Sequence, residues 1–200
     1  MSIDKNLVLA SSSPRRRELL GQLGVSFLLD PPEIDESPRP QEPAADYVQR
    51  IASSKALQVA PRHDLSQKVI LAADTTVVVD DCVLGKPVDR MDGLAILARL
   101  SGRRHTVMTA ICLCSDQNIT TELVSTDVEF IQLTRELCEA YLATEEPWDK
   151  AGAYGIQGLG GAFVRAIYGS YSNVVGLPLT ETWQLLCANG ISGHLEPGGE

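Results

Sequence analysis

Five short segments carry side chains whose types and spacing suit chemistry. The first is Ser11-Ser12-Ser13-Pro14-Arg15-Arg16, where the apolar run Leu7 to Ala10 gives way to a helical pattern. A helix N-terminus presents unpaired N–H groups and about half a positive charge, which attracts phosphate. Serine hydroxyls add donors, and an arginine holds a phosphate bidentately. The plain alternative is an ordinary cap, Ser13 at the N-cap and Pro14 at the first helical position, followed by a solvated basic turn. No Walker-type glycine loop occurs anywhere in the chain, which excludes a P-loop enzyme.

The second candidate is Asp74, at the end of the apolar run Lys68 to Ala73 and followed by Thr75-Thr76. A carboxylate at the edge of a hydrophobic sheet is costly to bury unless it is paired or on a metal. Strand ends are also where α/β folds place ligand crevices. A strand-terminating Asp that bonds its own backbone is the alternative. Lys55 is the third. It falls on an apolar helical stripe, so its ammonium either snorkels to the surface or points into a cleft. Lys86, in Gly85-Lys86-Pro87, lies on a turn, solvated or turned toward a ligand. The fourth, Glu33-Ile34-Asp35-Glu36, is a solvated acidic patch unless Asp74 faces it, in which case the pair suits Mg²⁺ or Mn²⁺. The fifth is Asp149 to Gly158. Its glycines let a backbone approach a ligand closely, and Gln157 offers a base edge both a donor and an acceptor; a purely structural glycine loop is the alternative. His63, His105 and His194 have no metal spacing, and no nucleophile elbow supports a serine hydrolase.

The elements that must position these groups follow from period and punctuation. Leu7 to Ala10 reads as a buried strand, and Pro14 to Leu23 as a helix stopped by Gly24. Phe27 to Leu29 is a second strand. Asp30 to Pro43, with five prolines and five acidic residues, is an exposed loop. Ala44 to Val59 is a helix whose stripe is Val48, Ile51, Ala52 and Val59, with Lys55 among them. Lys68 to Ala73 is a strand buried on both faces, extended onward to Val79 and turned at Asp80-Asp81. A helix over Asp89 to Leu100 closes at Gly102. Strands over Thr106 to Cys114 and Leu123 to Leu133 flank a polar turn, and Thr134 caps a helix through Leu142. Seven of the sixteen glycines lie between Ala151 and Gly176, around a strand over Ala162 to Ile167. Leu179 to Ala188 is the last helix, and Ile191 to Glu200 reads as a frayed tail. Alternating helices and paired strands predict a mixed sheet with helices packed around it.

Composition narrows the function. The 200 residues include 17 basic and 26 acidic side chains, a net charge of -9. That balance argues against a stable nucleic-acid partner, so an anionic ligand must be held by a local basic cluster. No run approaches the roughly 20 apolar residues of a membrane span, and Met1 to Leu9 lacks the pattern of a signal peptide. The five cysteines are scattered and set among apolar residues, as expected of buried thiols in a reducing cytoplasm. Hydroxyl and basic loops in an acidic chain with isolated carboxylates suggest a metal-dependent enzyme acting on a phosphorylated small molecule.

These residues, in order, resemble the signatures of the Maf family. The match runs through Leu9-Ala10-Ser11-Ser12-Ser13-Pro14-Arg15-Arg16, Ile34-Asp35-Glu36, Lys55-Ala56, Ala73-Asp74-Thr75 and Gly85-Lys86-Pro87. It continues through Leu100-Ser101-Gly102 with His105 and Thr109, Lys150 to Gly158, and Asn173-Val174-Val175-Gly176-Leu177-Pro178. It spans about Leu7 to Gly190 of a single Maf-like domain over residues 1–200. The resemblance implies a nucleoside triphosphate pyrophosphatase that cuts between the α- and β-phosphates with a divalent cation, Mg²⁺ or Mn²⁺. It implies an elongated mixed α/β fold with two lobes around a deep cleft, similar to the inosine triphosphatase fold. Asp74 corresponds to the catalytic proton acceptor. Ser11, Arg16, Glu36, Lys55 and Lys86 correspond to residues that hold phosphates or metal, with Glu36 and Asp74 as the metal ligands. Arg15, Thr75 and Gln157 resemble the specificity signature of the dTTP/UTP branch, against a sister branch acting on 7-methyl-GTP. Ser12 departs from the small Gly or Asn of many members. The family is also linked to arrest of cell division and septum formation, which leaves a nucleotide-binding regulator as the rival reading. A homodimer is the implied assembly.

Overall fold

The computed structural model describes residues 6–194. The strands are β1 (Asn6–Ala10), β2 (Phe27–Leu29), β3 (Lys68–Val79), β4 (Cys82–Leu84), β5 (Arg104–Cys114), β6 (Ile119–Phe130) and β7 (Val164–Tyr168). These seven form one hydrogen-bonded sheet, six of them in the order β2-β1-β3-β5-β6-β7 and the seventh, β4, paired with β3. The helices are α1 (Pro14–Gln22), α2 (Ala44–Val59), α3 (Arg90–Leu100), α4 (Arg135–Leu142), α5 (Tyr171–Val175) and α6 (Leu179–Ala188). This is the mixed α/β architecture that the alternation of patterns predicts. By internal contacts the chain divides into two compact units. Of the described residues, one comprises 6–74, 109–124 and 176–194, the other 75–108 and 125–175.

In the first unit β1 runs parallel to both β2 and β3, with Leu9 level with Leu29 and Leu71. Parallel neighbours need crossover connections, which α1 and α2 supply. Val8, Leu9, Ile51, Val69, Ile70 and Leu71 are fully buried between these layers. The near-continuous apolar run of β3 is therefore explained by cover on both faces. Helix α1 starts where expected, with Ser13 at the N-cap accepting the Arg16 N–H and Pro14 in the first turn. Gly24, at φ 70°, takes the left-handed position that ends it.

In the second unit Val77, Leu97, Leu100, Val107, Val128 and Phe130 form the centre of the core. The Phe130 ring stands edge-on to His105, Tyr154 and Phe163 at centroid distances of 4.8, 4.7 and 5.9 Å. Asp80 and Asp81 both have positive φ, as a two-residue hairpin between β3 and β4 requires. Asp89 caps α3 by accepting the Asp92 N–H at 2.8 Å.

Several element boundaries differ from the sequence reading. β6 begins at Ile119 and ends at Phe130, not at Leu123 and Leu133. Its first half is only half-buried, so it carries little apolar signal. Past Phe130 the backbone leaves the ladder, where the Ser101 hydroxyl accepts the Leu133 N–H at 2.7 Å. β7 starts at Val164 because Leu159–Phe163 coils into a 3₁₀ turn that buries Phe163. Helix α5 is too short for any period to reveal; the Ser170 hydroxyl accepts the Asn173 N–H at its start. Of the expected tail, Ile191 is buried and the His194 N–H bonds the Leu23 carbonyl, so residues 191–194 pack back; residues 195–200 lie outside the described residues.

Candidate active site

Strands β1 and β2 end at one edge of the first unit, where the parallel pairing of β3 with β1 also stops, the usual place for a ligand crevice. Ser11 to Ser13 follow β1, the loop with Glu36 follows β2, and Asp74 lies within β3 two residues past the pairing of Ala10 with Ala72. Lys55 ties two of these together. Its ammonium, on the buried stripe of α2, donates to Asp74 Oδ1 at 2.7 Å and meets Glu36 Oε1 at 2.9 Å. Lys55 is 7% exposed and Asp74 6%. The lysine therefore does not snorkel, and Asp74 is paired with another residue instead of turning back on its own backbone. A charge removed from water is tolerable when an opposite charge sits this close.

The basic turn adjoins the same cluster. Arg16 donates from Nε to the Gly176 carbonyl at 2.8 Å, which fixes its guanidinium at the start of α1. Burial lowers its pKa, and the charges of Asp74 and, less strongly, Glu36 push it back up, so the three charges share one neighbourhood. The Ser11 hydroxyl accepts the Ser13 N–H at 3.1 Å and is nearly buried. Arg15 is half-buried beside Arg16.

Helix α2 also holds the proline-rich loop in place, a role the sequence reading missed. The Tyr47 hydroxyl donates to the Glu36 carbonyl at 3.0 Å. Burial first, and then the charges of Asp74 and Glu36, push the Tyr47 phenol up to about 12. Arg50 forms a two-pronged pair with Glu42 at 2.5 and 2.6 Å and reaches the Ser37 carbonyl. Gln58 accepts the Glu33 N–H at 2.7 Å and donates to the Glu33 carbonyl. Tyr47, Arg50 and Gln58 recur at helical spacing, so the clue was a polar stripe flanking the apolar one.

Glu36 and Asp74 offer oxygen donors, the ligand type that Mg²⁺ and Mn²⁺ take, and already flank one cation, the Lys55 ammonium. Two carboxylates make part of a coordination shell. Among the described residues no cluster of three or more His, Cys, Asp or Glu side chains stands ready for a metal. The donor set thus fits a cation that arrives with phosphate oxygens and water as its remaining ligands.

Thr75, Lys86 and Gln157 belong to the second unit. Thr75 is half-buried within β3. Lys86 is exposed and lines an open cavity of about 350 Å³ with Asp92, Ile96 and Arg99. Gln157 is exposed in the turn Gly155 to Gly158, closed by the Gly158 N–H to the Gly155 carbonyl at 3.3 Å. The glycines around it are packed on an internal carboxylate, Glu146, which the sequence reading did not single out: its Oε2 accepts the Leu159 N–H at 2.8 Å and its Oε1 the Gly160 N–H at 2.9 Å. All five cysteines are free thiols. Among the described residues no helix is long and apolar enough to cross a membrane.

The profile of the family described as Maf-like protein matches residues 6–189. The dTTP/UTP pyrophosphatase of Shewanella oneidensis is 53% identical over 192 residues, covering 93% of this chain and 99% of that protein. The dTTP/UTP pyrophosphatase of Hahella chejuensis is 50% identical over 188 residues, 94% of each chain. That of Escherichia coli is 51% identical over 181 residues, 90% of this chain and 91% of the other. Among solved structures, the Ham1 protein of Staphylococcus aureus overlaps in part, at a TM-score of 0.43 and 12% identity, over 63% of this chain and 72% of that one.

Proposed function

The chain belongs to the Maf family, and on that premise we propose that it hydrolyses dTTP and UTP to the nucleoside monophosphate and pyrophosphate. The observation that carries the reading is the buried Lys55–Asp74 pair, joined by the exposed Glu36 carboxylate, beside Arg16 at the start of α1. It combines a carboxylate base, cations for phosphate and oxygen donors for a metal. The names and near-complete coverage of relatives at 50–53% identity support the substrate class.

In this reading Asp74 takes a proton from the attacking water. The water oxygen bonds the α-phosphorus, the bridging oxygen leaves with pyrophosphate, and the proton passes from Asp74 to solvent. Lys55, 2.7 Å from Oδ1, fixes the carboxylate so that Oδ2 faces the water. Arg16 and the Ser11 hydroxyl bind phosphate oxygens beside the positive end of α1, and Lys86 offsets further charge. Glu36 and Asp74 would hold a divalent cation together with the substrate's phosphate oxygens, and that cation would supply positive charge against the pyrophosphate leaving group. Gln157 pairs with the donor and acceptor edge of uracil or thymine, and Arg15 and Thr75 are the other two residues of the specificity signature. CTP is disfavoured because its N3 accepts and its N4 donates, which leaves polar groups unmatched. The setting is the cytoplasm, where free thiols persist, and the assembly a homodimer, which sedimentation would test.

The test is to incubate the purified protein with Mg²⁺ or Mn²⁺ and each nucleotide, then rank kcat/KM. Monophosphate plus pyrophosphate from dTTP and UTP is expected. Release of orthophosphate would show that a different bond is cut. A lead for 7-methyl-GTP would move the chain to the sister branch, and no turnover with any nucleotide and either metal would favour a regulator.

A further inference from the structure

We infer that Glu146, with Tyr141 beside it, is a positioning residue for base recognition: it fastens both ends of the turn that carries Gln157. The inference rests on the reading of Gln157 as the base contact. Beyond Gln157, the two Glu146 carboxylate oxygens take the N–H groups of Leu159 and Gly160. Before it, the Gly155 N–H donates to the Tyr141 hydroxyl at 3.0 Å, and that hydroxyl donates in turn to Glu146 Oε1 at 2.8 Å. One carboxylate thereby accepts two backbone donors and a phenol, and through the phenol it reaches the third backbone donor. Charge-assisted bonds of this kind are roughly twice as strong as neutral ones.

Gly158 and Gly160 owe their identity to this arrangement. A Cβ on Gly158 would collide with Glu146 Oε2, and one on Gly160 would lie 2.8 Å from the Tyr141 hydroxyl. The backbone approaches closely, as the sequence suggested, but what it approaches is a side chain of the protein. Both anchors are themselves held. Lys150 donates to the Glu146 carbonyl at 2.7 Å. The Tyr141 ring packs edge-on against Phe163 at 4.9 Å, within the aromatic core. Burial pushes the Glu146 pKa up, but the N–H groups of Gly160 and Leu159 and the Tyr141 hydroxyl outweigh it, so the carboxylate stays below its ordinary value. Gln157 is left at the tip of a turn whose base cannot drift, while its own side chain remains open to solvent. A recognition amide discriminates between bases only if its donor and acceptor are held in register.

The experiment compares kcat/KM for dTTP and CTP in the full-length protein and four variants: Gln157→Ala, Glu146→Gln, Tyr141→Phe and the double variant Glu146→Gln/Gln157→Ala. An amide at position 146 has one acceptor oxygen and cannot serve three donors. Glu146→Gln should cut the dTTP-over-CTP preference roughly tenfold, the scale of one misplaced hydrogen bond, with the loss falling on KM more than on kcat. Gln157→Ala should cut it comparably, and the double variant should lose no more than either single one. If Gln157→Ala leaves the preference intact, the base-contact reading has failed and the inference goes with it. If Gln157→Ala abolishes the preference while a folded Glu146→Gln protein keeps it, or if the two losses add, the inference alone is overturned. Should Glu146→Gln fail to fold, Tyr141→Phe, which frees only the Gly155 end, is expected to give a smaller fall of the same kind; an unchanged preference there would also overturn it.

Discussion

Lys55 has two tasks that can be separated by mutation. As the partner of a carboxylate only 6% exposed, it stabilises the fold; in the proposed mechanism it also orients Asp74 for the reaction. Lys55→Met should lower stability by about 3 kcal/mol in urea denaturation, because Asp74 is left as an uncompensated buried charge. Adding Asp74→Asn should restore part of that loss, since a neutral amide is cheaper to bury, while activity stays absent. If the double variant is no more stable than Lys55→Met alone, the pair is not what holds this part of the core. Asp74→Asn by itself should bind nucleotide with little change and lose turnover by on the order of 10²-fold or more. Retained turnover would remove Asp74 as the base.

At the scale of elements, α2 does more than cover the sheet. It packs on β1 and reaches β3 through the Lys55–Asp74 bond, and Tyr47, Arg50 and Gln58 hold the backbone of the loop that presents Glu36. A loop with five prolines has less freedom to lose on ordering, but it has no ladder of its own and must be fastened from outside. Tyr47→Phe removes one fastening and little core volume. Stability should fall by no more than about 1 kcal/mol. The Mg²⁺ concentration needed for half-maximal dTTP hydrolysis should rise several-fold, because Glu36 is less often in place. An unchanged metal dependence, measured by titration at saturating nucleotide, would mean that Glu36 is held without Tyr47 or does not meet the metal.

At the scale of the whole molecule, stability should depend on pH through His105. This side chain is 3% exposed, shares a 2.9 Å hydrogen bond with the Tyr154 hydroxyl and lies edge-on to Phe130. Burial pushes its pKa down from 6.5 to about 4, only partly countered by the charge of Asp127. Between those values the unfolded chain binds a proton that the folded chain does not, so stability is full above pH 6.5 and falls as pH drops toward 4. The loss from this one group is at most about 3 kcal/mol. Denaturation midpoints at pH 7.5 and 5 should differ less for His105→Gln than for the unmutated protein. Equal pH slopes in the two would assign the acid sensitivity to the carboxylates instead.

Much of this was written in local pattern. Period placed α2 with its bounds at Ala44 and Val59, the serine–proline pair started α1, and the unbroken apolar run Lys68 to Ala73 meant a strand covered on both faces. These are short-range properties, set by which way successive side chains point and which backbone groups near the ends lack partners. The sequence also marked Asp74, because a carboxylate at the end of such a run has to find a partner. It did not say which. That Lys55 points to Asp74 and Glu36 rather than to water depended on what lies across from its stripe, and the three residues come from separate parts of the chain. The glycine segment shows the same limit. Its composition announced close approach, but only the packed structure shows Glu146 as the group approached, since a contact between residues 146 and 160 needs the intervening chain to fold back on itself. Local order follows from the residues nearby, whereas the pairing of buried charges is a property of the three-dimensional core that brings them together.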